Sequence, residues 1–259
     1  MCGAEGKDTL VLVHGYASTF ETSLQRGLQL ADLYKPNGQP LNVVVFSWPA
    51  DGKMTPYMSY FNDRNDARDS GEAMARAILI LKEYIESLTP EERCDRAIHV
   101  LAHSMGNYAL RYGVQRLRSR LGDKLPRLFQ EILLVAADED NDAFDHDHKL
   151  RPLPKLGRRV SVYFAPQDRA LVISDTTKGN PDRLGSDGPV QVSGLPTKVI
   201  LIDGRNVAFV GDPWTAHQYY RTSPRVAKDI TATLAGIPVD QIAGRVHVPD
   251  LRAWRIEAG

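Results

Sequence analysis

A serine between small residues, at the end of an apolar run, is the feature of this sequence that points most directly to chemistry. The stretch Ala97–Asn107 reads AIHVLAHSMGN, with Ala102 two residues before Ser104 and Gly106 two residues after it. This spacing matches the Gly-x-Ser-x-Gly pattern, with alanine at the first position. Small residues allow the chain to turn sharply, which holds the serine hydroxyl exposed beside a base. The pattern therefore predicts a nucleophile elbow at Ser104.

A serine nucleophile needs a base and an acid that orients the base, and one established chain order is serine, acid, histidine. Asp168 follows the apolar run that ends at Phe164, and His217 lies between the last clear apolar run and a closing helical pattern. Residues that follow parallel strands meet at the carboxyl edge of the sheet. We therefore predict a triad of Ser104, Asp168 and His217, with Asp138 as the alternative acid.

The first apolar run leads into a second motif, His14-Gly15-Tyr16. Gly15 permits a tight turn, after which the N–H of Tyr16 faces the substrate oxygen. The N–H of Met105, directly after the serine, supplies a second donor. We predict that these two N–H groups form an oxyanion hole. We also expect His14 and His103, which belong to the two motifs, to brace the loops by hydrogen bonds.

Apolar runs alternate with helical patterns along the chain, which is typical of a parallel sheet covered by helices on both faces. The sequence predicts about six strands, whose apolar runs are mostly continuous rather than alternating. They are Thr9–Val13, Leu41–Phe46, Ile98–Ala102, Glu131–Val135, Arg159–Phe164 and Lys198–Ile202. The predicted helices are Glu21–Tyr34, Asn65–Leu88, Met105–Leu121 and Pro224–Leu234, the last with Ser223 as its N-cap. We expect one domain over residues 1–259, with the tail from Gly236 to Gly259 irregular or forming a late strand.

Composition excludes several classes of function. The 259 residues carry 32 Lys plus Arg and 32 Asp plus Glu, which gives no case for a nucleic acid or an anionic membrane as partner. The sequence lacks an apolar run of about 18 residues, so no membrane-spanning helix is expected. The two cysteines, Cys2 and Cys94, are too few for a disulfide framework, and the N-terminus has no signal pattern. We expect a cytoplasmic protein, with a trimmed bacterial lipoprotein or a secreted form as the alternatives.

The segment Asp138–His148 is rich in carboxylates and begins with the spacing of a calcium loop. Its sixth position is Ala143 rather than glycine, and its twelfth is Lys149 rather than glutamate. We interpret it as a solvated acidic loop and predict no metal site. Aromatic residues near the predicted triad are the candidates for substrate binding: Trp48, Tyr57 and Trp214.

The motifs together resemble one superfamily. They are His14-Gly15-Tyr16, Ser47-Trp48-Pro49, Ala102 through Asn107, Asp168-Arg169-Ala170-Leu171, and His217. With them, the chain from about Leu10 to Leu234 resembles the α/β-hydrolase superfamily, more narrowly a bacterial branch of poorly characterised serine hydrolases. The resemblance implies an α/β three-layer sandwich and the triad of Ser104, Asp168 and His217. Its mostly parallel sheet of about six strands is expected to lack the opening antiparallel hairpin of larger relatives.

These observations predict a serine hydrolase that cleaves carboxylic esters of short to medium acyl chains through an acyl-enzyme. The chemistry requires no metal or organic cofactor, and the expected partner is a small-molecule ester. Two alternatives stay open: an acyltransferase or an amidase or peptidase that uses the same triad, and a non-catalytic binding protein on a hydrolase fold. The natural substrate and the oligomeric state are not indicated by the sequence.

Overall fold

A computed structural model describes residues 6–53, 58–89, 92, 96–168, 170–171, 182–207 and 216–258. Their centre is an eight-stranded sheet of order β2-β1-β3-β4-β5-β6-β8-β7, in which the β7–β8 pair is antiparallel and all other neighbours are parallel. The strands are β1 (Thr9–Val13), β2 (Asn42–Phe46), β3 (Ile98–His103), β4 (Phe129–Val135), β5 (Gly157–Phe164), β6 (Val199–Asp203), β7 (Arg245–Val248) and β8 (Ala253–Ile256).

Helices cover both faces of the sheet. Successive strand residues point to opposite faces, so Leu10 and Leu12 of β1 belong to one buried cluster and Val13 to the other. The continuous apolar runs follow from this, because a strand buried on both faces has no solvent side. The α-helices of the described residues are α1 (Phe20–Leu33), α2 (Met58–Asp69), α3 (Gly71–Ser87), α4 (Gly106–Leu121), α5 (Leu184–Asp187), α6 (Tyr219–Thr222) and α7 (Pro224–Leu234).

The six predicted strands are confirmed, with ends that shift by at most two residues. The strand count of about six is too low, because the C-terminal tail folds into the β7–β8 hairpin and β8 pairs in parallel with β6. These strands have four residues each, which is too short for a clear apolar pattern. The fold class, a mostly parallel α/β sheet with helices on both sides, is confirmed.

The predicted helix Asn65–Leu88 is wrong in its bounds, because α2 and α3 are separate helices that meet at Ser70. A Cβ on Gly71 would lie 2.7 Å from Tyr112 Cβ, so the start of α3 packs directly against α4. Glycine is also a weak helix former, which favours a break at this point. The predicted cap of the last helix is confirmed, since Ser223 Oγ accepts from Val226 N–H at 3.4 Å.

Within the described residues, we find no helix with the length and apolar character needed to cross a membrane.

Candidate active site

Ser104 forms the turn between β3 and α4 in a left-handed conformation with φ of 53°. A residue other than glycine adopts this conformation at a cost on the order of 1–2 kcal/mol. Hydrogen bonds hold the turn: Ser104 N–H donates to Val135 O at 3.0 Å, and Ser104 O accepts from Asn107 N–H at 3.0 Å and from Asp138 N–H at 3.2 Å. The turn is therefore fixed by β4 and by the start of α4, and the serine stays at the carboxyl edge of the sheet.

The loop after β1 touches this turn through backbone. A Cβ on Gly15 would lie 2.8 Å from Ser104 Cβ, and a Cβ on Gly106 would lie 2.4 Å from Val13 O. Neither position has room for a side chain, so both glycines permit the close approach of the two loops. This contact brings the segment that contains Tyr16 next to the segment that contains Met105, as the predicted oxyanion hole requires.

Contacts between His14 and Trp48 hold the loop after β1 in place. Trp48 N–H donates to His14 Nε2 at 3.1 Å, and Trp48 Nε1–H donates to His14 O at 2.8 Å. The two rings stack with centroids 4.9 Å apart. Burial lowers the pKa of His14 to about 4, so its ring is neutral and its Nδ1–H donates to Gly15 O at 3.0 Å. The expected bracing role of His14 is confirmed.

The structure brings Asp168 and His217 together. His217 Nδ1 donates to Asp168 Oδ2 at 2.7 Å, and both side chains are buried. Burial acts to lower the pKa of His217, but the charge and hydrogen bond of Asp168 outweigh it and raise the pKa above its ordinary value. An imidazole oriented in this way presents Nε2 as its basic atom.

His103, the residue before Ser104, fixes the backbone of His217. Its Nε2–H donates to His217 O at 3.0 Å, and the two rings have centroids 4.8 Å apart. Burial holds the pKa of His103 well below its ordinary value, so the ring is a neutral donor. The expected bracing role of His103 is confirmed, and the contact places His217 beside the serine turn.

Asp138, the alternative acid, has other partners. Its Oδ2 accepts from Tyr60 Oη–H at 2.5 Å, and its Oδ1 lies 3.6 Å from Arg183 Nε. Its backbone N–H donates to Ser104 O, so the residue supports the serine turn. Between the two candidate acids, the geometry favours Asp168 as the partner of His217.

The interpretation of residues 138–148 as a solvated acidic loop is wrong for its first part, since Asp138 and Glu139 are 2% and 0% exposed. Lys149 Nζ lies 2.9 Å from Asp140 Oδ2 and also contacts Asp142. Asp140 and Asp142 are therefore paired with a cation of the protein itself, which the sequence pattern did not reveal.

The structure describes one of the three predicted substrate-binding residues. Trp48 is 2% exposed, belongs to the hydrophobic core and stacks on His14, while Tyr57 and Trp214 lie outside the described residues. Tyr16 is half-buried, and its ring centroid lies 5.7 Å from that of Tyr60. Substrate contact by Trp48, Tyr57 and Trp214 stays a prediction.

Two buried charged residues near the site were missed by the sequence analysis. Arg183 is fully buried and its Nη1 lies 2.7 Å from Asp140 Oδ1. Asp63 is also fully buried and binds two loops at the site edge. The sequence contains one signal that Asp63 is buried. Ser59, Asp63 and Ala67 recur every four residues, which places all three on one helix face.

Asp63 also belongs to a group of carboxylates close enough to bind a metal. Its oxygen and those of Asp51 and Asp66 lie within 4.8 Å of one another. Both oxygens of Asp63 already accept backbone N–H groups, so we assign no ion to this group.

The mostly parallel sheet and the covering helices form an α/β fold, and together with the family match they define the class of protein as an α/β hydrolase. The chain belongs to the alpha/beta hydrolase family of unknown function (DUF900), which matches residues 3–235. A curated relative, uncharacterized protein alr1448 of Nostoc sp. (strain PCC 7120 / SAG 25.82 / UTEX 2576), is 35% identical over 86 residues. That stretch covers 33% of this chain and 20% of the Nostoc protein, so the similarity spans one fifth of the relative.

Proposed function

We propose that this chain is a serine hydrolase that cleaves carboxylic esters, with Ser104 as nucleophile, His217 as base and Asp168 as the orienting acid. The observation that carries the proposal is the 2.7 Å hydrogen bond from His217 Nδ1 to Asp168 Oδ2. His217 is held beside the Ser104 turn by His103. Asp168 and His217 lie in loops that follow different strands and contact each other. The carboxyl edge of the sheet, where such loops lie, is where α/β folds bind ligands.

The reaction proceeds in two halves. Ser104 Oγ attacks the ester carbonyl carbon while His217 Nε2 takes the hydroxyl proton, and Asp168 stabilises the resulting imidazolium. The carbonyl oxygen becomes an oxyanion that accepts from the N–H groups of Tyr16 and Met105. The C–O bond then breaks, His217 returns the proton to the leaving alkoxide, and an acyl-enzyme remains. Water then attacks the carbonyl carbon of the acyl-enzyme while His217 takes the proton of the water. His217 returns this proton to Ser104 Oγ as the carboxylic acid leaves.

The preference for short to medium acyl chains rests on the connection between β4 and β5. Residues 136–156 form turns and the short 3-10 helix Leu153–Leu156. Phe144 and Leu150 of this connection are buried and belong to the hydrophobic core. A segment packed in this way adds no separate lid of its own, which favours small acyl groups over long lipid chains.

Two reagents test the proposed function. A fluorophosphonate should label the chain once, at Ser104, because it requires an activated serine and an oxyanion hole. A series of p-nitrophenyl esters from acetate to palmitate should give the highest kcat/KM at the short to medium chains. Peptide mapping of the label to another residue, or absence of both labelling and hydrolysis, would contradict the proposal. Added alcohols and amines in the product analysis distinguish hydrolysis from acyl transfer.

The pH dependence of the reaction follows from His217. Only neutral imidazole accepts the Ser104 proton, and Asp168 raises the pKa of His217 above its ordinary value of 6.5. The charged form therefore persists to higher pH, and kcat/KM should fall as the pH decreases through a midpoint above 6.5. The measurement is kcat/KM for p-nitrophenyl butyrate from about pH 5 to about pH 9 at constant ionic strength. A midpoint of this decrease below 6.5 would contradict a base whose pKa is raised by Asp168.

A further inference from the structure

A carboxylate outside the triad connects the two loops that border the site. Asp63 lies in the middle of α2, is 0% exposed and shares the buried face of that helix with Ser59 and Ala67. A buried carboxylate is costly unless hydrogen bonds satisfy its oxygens. Its partners therefore indicate what it contributes.

Both Asp63 oxygens accept backbone N–H groups from loops that follow neighbouring strands. Oδ2 accepts from Ala17 N–H at 3.0 Å, in the loop after β1, and Oδ1 accepts from Asp51 N–H at 2.8 Å, in the loop after β2. The two loops touch, since a Cβ on Gly52 would lie 2.5 Å from Thr19 Cγ2. One side chain therefore holds two loops in a fixed relation.

Ala17 has a conformation that needs such support. Its φ is 54°, in the left-handed region that a residue other than glycine adopts only at a cost. Ala17 directly follows Tyr16, so the Ala17 N–H and the Tyr16 carbonyl belong to the same peptide group. Gly15 holds the other side of Tyr16 against Ser104. The backbone of Tyr16 is thus fixed at both ends, by the serine turn and by Asp63.

We propose that Asp63 is a positioning residue of the oxyanion hole, which holds the Tyr16 backbone N–H in its catalytic direction by binding Ala17 N–H. This inference rests on the proposed function. Asp63 touches no reacting atom and acts only through the loop. Burial raises the pKa of Asp63, and the hydrogen bonds from Asp51 and Ala17 oppose that shift. A carboxylate suits the position because two acceptor oxygens face two donors, whereas an amide would point its NH₂ group at one of them.

The test is Asp63→Asn, with Asp66→Asn as the matched control, since Asp66 is on the same helix but Ala17 N–H and Asp51 N–H donate to Asp63 instead. We expect Asp63→Asn to lower kcat for p-nitrophenyl butyrate about 10- to 100-fold, with KM changed by less than about twofold. The rate constant for labelling by the fluorophosphonate should fall in parallel. Asp66→Asn should keep wild-type kinetics.

A second substitution separates positioning from general stability. Ala17→Gly in the Asp63→Asn background should recover part of the lost kcat, because glycine adopts the left-handed conformation without support. Melting temperatures of all variants are measured beside the kinetics. A loss of kcat that follows melting temperature, with no recovery by Ala17→Gly, would overturn the positioning role.

Amide hydrogen exchange keeps the two proposals distinguishable. In the wild-type chain, the Ala17 and Asp51 amides should exchange slowly although both lie in loops, and rapid exchange would overturn the role of Asp63 whether or not the variant folds. Failure of the fluorophosphonate to label wild-type Ser104 would remove the proposed function, and with it an oxyanion hole for Asp63 to position. Labelling of the wild type together with Asp63→Asn kinetics equal to those of Asp66→Asn would overturn the inference about Asp63 alone.

Discussion

Replacing Ser104 with alanine should lower kcat for a p-nitrophenyl ester by about 10⁶-fold, because the proposed nucleophile is removed and the acyl-enzyme cannot form. Binding of substrate should change little, since the predicted oxyanion donors are the backbone N–H groups of Tyr16 and Met105. Folding should also be preserved, because the left-handed turn is held by backbone hydrogen bonds to Val135, Asn107 and Asp138. The measurements are kcat and KM, with circular dichroism to verify the fold.

A matched serine variant controls for the loss of a buried hydroxyl. Ser161 lies inside β5, is 1% exposed, and its Oγ has no hydrogen-bond partner in the described part of the chain. Ser161→Ala should therefore keep wild-type turnover. Equal turnover by Ser104→Ala and Ser161→Ala would remove Ser104 as nucleophile and leave the chain without the proposed mechanism.

Replacing Asp168 with asparagine should lower kcat by about 10⁴-fold. Asparagine keeps the size of the side chain, but its amide lacks the charge that stabilises the imidazolium, and it permits the wrong tautomer of His217. Asp168 also raises the pKa of His217, so the acid limb of the residual activity should move to lower pH. Both quantities are measured in one pH series of kcat/KM.

Asp138→Asn decides between the two candidate acids. Asp138 binds Tyr60 and Arg183 and supports the serine turn through its backbone, so this variant should cost stability and keep kcat within about tenfold of wild type. A larger loss of kcat for Asp138→Asn than for Asp168→Asn would reverse the assignment of the acid. The comparison is informative because both residues are buried aspartates.

Near Ser104, Glu139 is another buried carboxylate whose charge affects the pH experiments. Glu139, next to Asp138, is 0% exposed and its Oε2 lies 3.2 Å from Arg111 Nη1. Burial raises the pKa of Glu139 to about 7, so its charge changes in the range where the proposed base also titrates. The pH series of Asp168→Asn and Asp138→Asn therefore needs melting temperatures at each pH, which separate changes of folding from changes of catalysis.

The sequence by itself determined the features that depend on neighbouring residues. The continuous apolar runs of β1 and β3 indicated strands buried on both faces, and the small residues around Ser104 indicated a sharp turn. Ser223 before Pro224 indicated the start of α7, and the structure bears this out. Each of these signals lies within a few residues of the feature it predicts, because turns, caps and periodicity are local properties of the chain.

Only the tertiary structure decided which distant residues meet. Asp168 and His217 are 49 positions apart, and although the sequence favoured Asp168 over Asp138, the hydrogen bond that joins Asp168 to His217 appears only in the folded chain. Asp63 likewise binds a loop 46 positions earlier. The sheet order determines these pairings, because it places loops that follow different strands side by side at one edge. Burial of a charged side chain becomes favourable only through such partners, so hydropathy along the chain could predict the elements of this site and not the contacts of its carboxylates.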